Sequence, residues 1–125
     1  MRLASYRPEI LYIGNEPMLS KASSSLLRTA GYRVRTTCPA HMAEAVRGGQ
    51  YSAVILCATL TTQESEAVVG KLEEANLRIP IVSLQVGSLG DAPHPSSTAI
   101  VDALRGPKAL VGAVQSVTQQ RRKAC

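Results

Sequence analysis

Five short apolar runs recur along this chain, separated by stretches whose apolar residues keep helical spacing. Residues 9–13 (EILYI) end at Gly14 and Asn15 and read as a strand entering a turn. Pro17 then suits the first turn of a helix. Leu19, Ala22, Leu26 and Ala30 recur at three- and four-residue intervals, which predicts a helix that buries this face and stops at Gly31. Ser23, Ser24 and Ser25 read as a solvated stretch of the same helix. Residues 32–36 (YRVRT) alternate, placing Tyr32 and Val34 on one face of a strand near a sheet edge.

A second helix fits residues 40–47, closed by Gly48 and Gly49. Residues 53–56 (AVIL), extended by Cys57, lack any polar alternation, the pattern of a central strand covered on both sides. Thr61 or Thr62 caps the next helix, Glu64 and Glu66 lie near its positive end, and Ala67, Val68, Leu72 and Ala75 form its apolar stripe. Residues 79–84 (IPIVSL) make a fourth strand, with Pro80 tolerable only at its start. From 87 to 97 the chain holds Gly87, Gly90, Pro93 and Pro95 among serines, so any helix there is short or absent. Residues 98–101 (TAIV) form a fifth, brief strand. A last helix opens at Pro107, continues from Lys108 and runs through Leu110, Val111, Val114 and Val117. Strand and helix alternate with short links, which argues an α/β fold with a doubly wound parallel sheet: one domain over residues 1–120 and a basic tail over 121–125.

Composition sharpens this picture. A chain of 125 residues with 45% hydrophobic content supports one real core. With four Tyr and neither Phe nor Trp, that core is aliphatic, and the usual stacking platforms for single-stranded nucleic acid are missing. The net charge is +5, of which Arg121, Arg122 and Lys123 carry three at the C-terminal end. Contact with nucleic acid is therefore expected only weakly, through those three residues; a solubilising end is the plainer reading. Cys38, Cys57 and Cys125 show no paired framework or CxxC spacing, and no signal peptide or membrane-spanning run is visible. A reducing cytoplasm without membrane contact is the expected setting.

The blocks Ile10-Leu11-Tyr12-Ile13-Gly14-Asn15-Glu16-Pro17, Leu26-Leu27 through Ala30-Gly31-Tyr32-Arg33-Val34, Tyr51-Ser52-Ala53-Val54-Ile55-Leu56-Cys57, Pro80-Ile81-Val82-Ser83-Leu84-Gln85 and Leu104 to Pro107 follow in order. Together they resemble the receiver domain of bacterial response regulators over residues 9–120. The resemblance implies a flavodoxin-like sheet of order 2-1-3-4-5 in a three-layer α/β/α arrangement. It also implies where phosphate chemistry would sit. Active receivers hold a divalent ion between two acidic residues after the first strand and an acceptor aspartate after the third; the matching positions here are Gly14, Asn15 and Cys57. A hydroxyl residue ending the fourth strand is matched by Gln85, and a lysine after the fifth by Gly106. Lys108 lies two positions further on and is not taken as its substitute. Glu16 matches a frequently acidic position at the edge of the site.

These replacements remove the chemistry on physical grounds. Magnesium requires oxygen ligands, usually including one or two carboxylates. Gly14 offers no side chain, Asn15 at most a neutral carbonyl, and Cys57 a soft sulfur. No aspartyl phosphorylation, bound metal, cofactor or catalysis is therefore expected. Cys57, at the carboxyl end of the central strand, would be nucleophilic or redox-active only beside a basic group, and neither His41 in the second helix nor His94 in the Pro-rich loop supplies one. Its plain reading is a small buried side chain filling a vacated acidic pocket. Two histidines are too few for a persuasive zinc site, and Gly14 alone is no dinucleotide fingerprint. Ser96, Ser97 and Thr98 form a generic phosphorylatable cluster.

Active receivers dimerise or hold partners through the segment after the fourth strand, the fifth strand and the last helix. Gly87, Gly90, Pro93, Pro95, Leu110 and Val114 are the corresponding candidate surface. The expected function is a phosphorylation-independent interaction or regulatory module that binds a signalling protein or a second copy of itself. Two alternatives stand beside it. One is a receiver-like part of a longer transcriptional or signalling regulator, whose basic tail leads to an output domain or nucleic acid. The other is thiol chemistry at Cys57.

Overall fold

The structure, a computed structural model, describes residues 9–47, 50–75, 78–86, 96–102 and 105–123. Its elements are β1 (Glu9–Ile13), α1 (Pro17–Thr29), β2 (Arg33–Thr37), α2 (Met42–Arg47), β3 (Ala53–Leu56), α3 (Thr62–Glu74), β4 (Ile81–Gln85), β5 (Ala99–Asp102) and α4 (Pro107–Lys123). All strand pairs are parallel, and the order across the sheet is β2-β1-β3-β4-β5. Helices α1 and α4 touch each other, as do α2 and α3, which gives the three layers of a doubly wound fold.

The apolar runs explain this order of burial. Every residue of β3 is buried, as are the last four of β1, because both strands lie inside the sheet with helices on either face. β2 sits at an edge; Val34 and the adjacent Tyr32 pack half-buried against the core, while Arg33 and Arg35 are exposed. Among the described residues, the core is aliphatic apart from Tyr12, Tyr51, Met42 and Cys57.

Helix α1 buries a different face from the one its apolar spacing suggests, and α3 buries only part of its expected stripe. In α1, Leu19 is 45% exposed and Ala22 and Ala30 are exposed; Ser24 and Leu27 point inward instead. A side chain of β1 takes up space beside the start of this helix. Tyr12 is fully buried, and its ring edge and the Ser20 hydroxyl crowd the same point above Gly14. Small serines on the helix leave room for a large ring on the strand. The Ser24 hydroxyl donates to the Lys21 carbonyl at 3.1 Å, so its burial leaves no donor unpaired. In α3, Val68, Val69 and Leu72 are buried, whereas Ala67 and Ala75 are exposed.

Boundaries differ by a residue or two where turn chemistry intervenes. α2 begins at Met42 because residues 38–41 form a tight turn around Pro39, with the His41 amide donating to the Cys38 carbonyl at 3.0 Å. β4 begins after Pro80, which cannot donate to the ladder. Arg121, Arg122 and Lys123 continue α4, so the basic residues extend the last helix. Leu110 and Val114 face the core rather than a partner, at 6% and 0% exposure; their spacing is the inner stripe of α4. Gly48, Gly49, Gly87, Gly90, Pro93, His94, Pro95 and Cys125 lie outside the described residues. Among the described residues, no helix is long and apolar enough to cross a membrane.

Candidate functional site

The carboxyl ends of β1 and β3 lie side by side, which brings Gly14, Asn15, Glu16 and Cys57 together at one rim of the sheet. Ladder bonds fix the two strand ends: the Gly14 amide donates to the Thr37 carbonyl and the Cys57 amide to the Ile13 carbonyl, each at 3.0 Å.

Gly14 is buried, and the space a side chain would need is filled. A Cβ there would stand 3.0 Å from the Tyr12 ring carbon Cε1, 3.1 Å from Cys57 Cβ and 3.1 Å from Ser20 Oγ. The tyrosine therefore occupies the volume into which a residue at this position would project. Its hydroxyl is buried without a hydrogen-bond partner among the described residues. Burial first, then the adjoining Cys57 thiol, pushes the Tyr12 phenol well above its ordinary value.

Asn15 joins the two loops of the rim. Its carbonyl oxygen Oδ1 accepts from the Thr59 hydroxyl, which also lies 3.2 Å from Cys57 Sγ. Its amide nitrogen Nδ2 donates to Glu64 Oε1 at 3.1 Å and, at 3.4 Å, approaches the Thr59 carbonyl. The carboxylates nearby have other tasks. Both Glu16 oxygens accept from the Met18 amide, at 3.1 and 3.2 Å, capping α1. Glu64 closes a capping box at α3, accepting from the Thr61 amide at 2.9 Å while Thr61 Oγ1 accepts from the Glu64 amide at 3.0 Å.

These groups do not fit the magnesium ion that the receiver resemblance implies. Such an ion needs near-octahedral oxygen donors with carboxylate among them. The rim offers a glycine without space, an amide already bonded on both atoms, a buried thiol and a carboxylate turned onto a helix end. Among the described residues, no three His, Cys, Asp or Glu side chains group as metal ligands.

Gln85 ends β4 half-buried, in register with Asp102 of β5. Gly106 leads into α4 with φ +97°, a left-handed conformation that a lysine adopts only with strain. Gly106 itself offers no side chain, and its backbone disfavours one.

Cys57 is 4% exposed, and its sulfur meets Thr59 rather than an imidazole. His41 belongs to another thiol. Its Nδ1 lies 3.1 Å from Cys38 Sγ, the two residues being held three apart by the turn that precedes α2. The hydrogen bond from His41, with backbone N–H groups of His41 and Ala40, holds the Cys38 thiol below its ordinary value; that same bond raises His41. The sequence carries the signal for this pair in Cys38-Pro39-Ala40-His41, because proline favours the second position of such a turn.

No protein-family model and no curated protein matches the sequence. Solved structures do match in fold. A CheY-like response regulator receiver domain protein from Methanospirillum hungatei JF-1 superposes with a TM-score of 0.79 at 13% identity, covering 94% of this chain and 99% of that one. The chemotaxis protein CheY4 of Vibrio cholerae gives 0.73 at 16% identity over 90% and 99%. The receiver domain of a sensor histidine kinase from Pseudomonas aeruginosa PAO1, solved with magnesium coordinated in its active-site cleft, gives 0.76 at 17% identity over 91% and 99%.

Proposed function

We propose that this chain, which has the receiver-domain fold, is an interaction or regulatory module that works without phosphorylation. The observation that carries the reading is the filled rim. Where metal and phosphoryl chemistry would need carboxylates and space, Tyr12 closes the volume above Gly14, and Asn15, Thr59 and Cys57 connect the two loops through neutral groups. The scaffold is intact while the rim is uncharged apart from two helix-capping glutamates. A module of this kind signals through the surface it presents. The sheet edge at β5, where Ile100 is 53% exposed, is one part of the described fold from which an apolar partner contact would run.

The test is intact-mass analysis after incubation with acetyl phosphate and magnesium, with thermal unfolding followed in parallel. No phosphoryl adduct and an unchanged unfolding midpoint are expected. A stoichiometric, base-labile phosphoryl adduct that needs magnesium would overturn the reading.

A further inference from the structure

The rim residues Gly14, Asn15 and Glu16 also form one end of an open cavity that runs towards β2. This cavity of about 430 Å³ opens between the start of α1 and the end of β2, and Cys38 forms part of its wall. Lys21 and Arg28 of α1 line it with Thr36 and Thr37 of β2. Glu16 is the only carboxylate among the described lining residues, and it is turned onto the Met18 amide. The Arg28 guanidinium donates to the Val34 carbonyl at 3.0 Å, and with Lys21 it gives the cavity lining a net positive charge.

The thiol itself is prepared for chemistry. Cys38 is partly exposed, whereas Cys57 is buried. His41 Nδ1 stands 3.1 Å from Cys38 Sγ, and the Pro39 turn fixes this spacing before any ligand arrives. Such a pair favours transfer of the thiol proton to the imidazole, and the thiolate is the nucleophile. Of the charged groups nearby, Glu44 of α2 favours the imidazolium, while Lys21, Arg28 and Glu16 line the cavity.

We propose that Cys38, with His41 as its proton acceptor, is a modification site for anionic low-molecular-weight disulfides, whose attached half lies in the cavity between α1 and β2. The Cys38 thiolate attacks one sulfur of the disulfide, forming a new S–S bond as the old one breaks. The departing half leaves as a thiolate and takes up a proton, so the disulfide itself is the oxidant and no other is needed. A free low-molecular-weight thiol reverses the step. The carboxylates of the attached half meet Lys21 and Arg28.

The experiment uses the full chain carrying Cys125→Ser, treated with oxidised glutathione or with the cationic disulfide cystamine and followed by intact mass and peptide mapping. One glutathionyl group on Cys38 and none on Cys57 is expected, with a half-titration of the rate below the free-thiol value of about 8.5. His41→Gln, checked for folding by circular dichroism, is expected to slow the reaction roughly tenfold at neutral pH and return the half-titration to the free-thiol range. Lys21→Glu is expected to lower the preference for glutathione over cystamine while leaving the half-titration below the free-thiol value. Reaction at Cys57 first, an unchanged rate in His41→Gln, or no preference between the disulfides would overturn the assignment.

Discussion

Substituting Gly14 by alanine probes the filled rim with a single methyl group. Gly14 does not have a left-handed backbone, so alanine carries no conformational penalty there and the cost is one of contact. The new Cβ would meet three atoms at 3.0 to 3.1 Å, well inside ordinary van der Waals distance. The Ser20 hydroxyl can rotate away. The other two atoms cannot: Cys57 Cβ is fixed to the backbone at the end of β3, and the Tyr12 ring is locked in the core. Overpacking against rigid neighbours costs about 1–3 kcal/mol. Gly14→Asp adds the cost of placing a carboxylate among buried groups, for a total of roughly 3–5 kcal/mol.

Urea unfolding followed by far-ultraviolet circular dichroism suits a chain without tryptophan. Gly14→Ala is expected to lower the thermal midpoint by about 5–10 °C, and Gly14→Asp by more. In a Tyr12→Leu background the same alanine is expected to cost less, because the ring that blocks it is gone. Gly112→Ala supplies the contrast, since nothing lies within 4 Å of a Cβ there and the site is helical; it should stabilise by about 0.5–1 kcal/mol. A Gly14→Ala protein within about 0.5 kcal/mol of the parent, with no dependence on Tyr12, would refute the claim that this volume is filled.

Four further outcomes are expected. Tyr12→Phe removes a buried hydroxyl with no hydrogen-bond partner among the described residues, so it should be neutral or stabilising by up to about 1 kcal/mol in the same urea assay. Because burial raises the folded Tyr12 phenol, its contribution is complete below the unfolded value of about 10 and is lost as pH rises beyond it; ultraviolet titration should show a tyrosine that ionises late, a feature absent from Tyr12→Phe. Thr61→Ala breaks the capping box of α3 and Tyr51→Phe removes a 2.6 Å hydrogen bond to the Ala45 carbonyl, each expected to cost about 1 kcal/mol by chemical denaturation.

The strands are legible because each depends on local pattern, whereas their order in the sheet follows from the resemblance to receiver domains. Unbroken apolar runs mark β1 and β3 as interior strands, alternation marks β2 as an edge, and Thr61 announces α3 through its own side chain. The inward face of α1 was not legible in the same way. Ser24 and Leu27 are buried while helical spacing alone favours Leu19, and the packing that decides this comes from other elements. The rim was half legible. The residue types at Gly14, Asn15 and Cys57 follow from the chain, but the Asn15–Thr59 link and the closure by Tyr12 join residues far apart in sequence. Glu16 reads as an edge carboxylate until the structure turns it onto the Met18 amide. A helix beginning at Ala40 hides the pairing of Cys38 with His41, which depends on the turn that Pro39 favours.

Whether neutral hydrogen bonds replace a cation at the rim is tested most directly by magnesium titration of the labelled protein, following the amide resonances of Gly14, Asn15, Cys57 and Thr59. These four signals should stay in place across the physiological concentration range, with only weak, unsaturated drift at scattered surface carboxylates. A saturable shift centred on these four amides would mean that the rim gathers a hard ion after all.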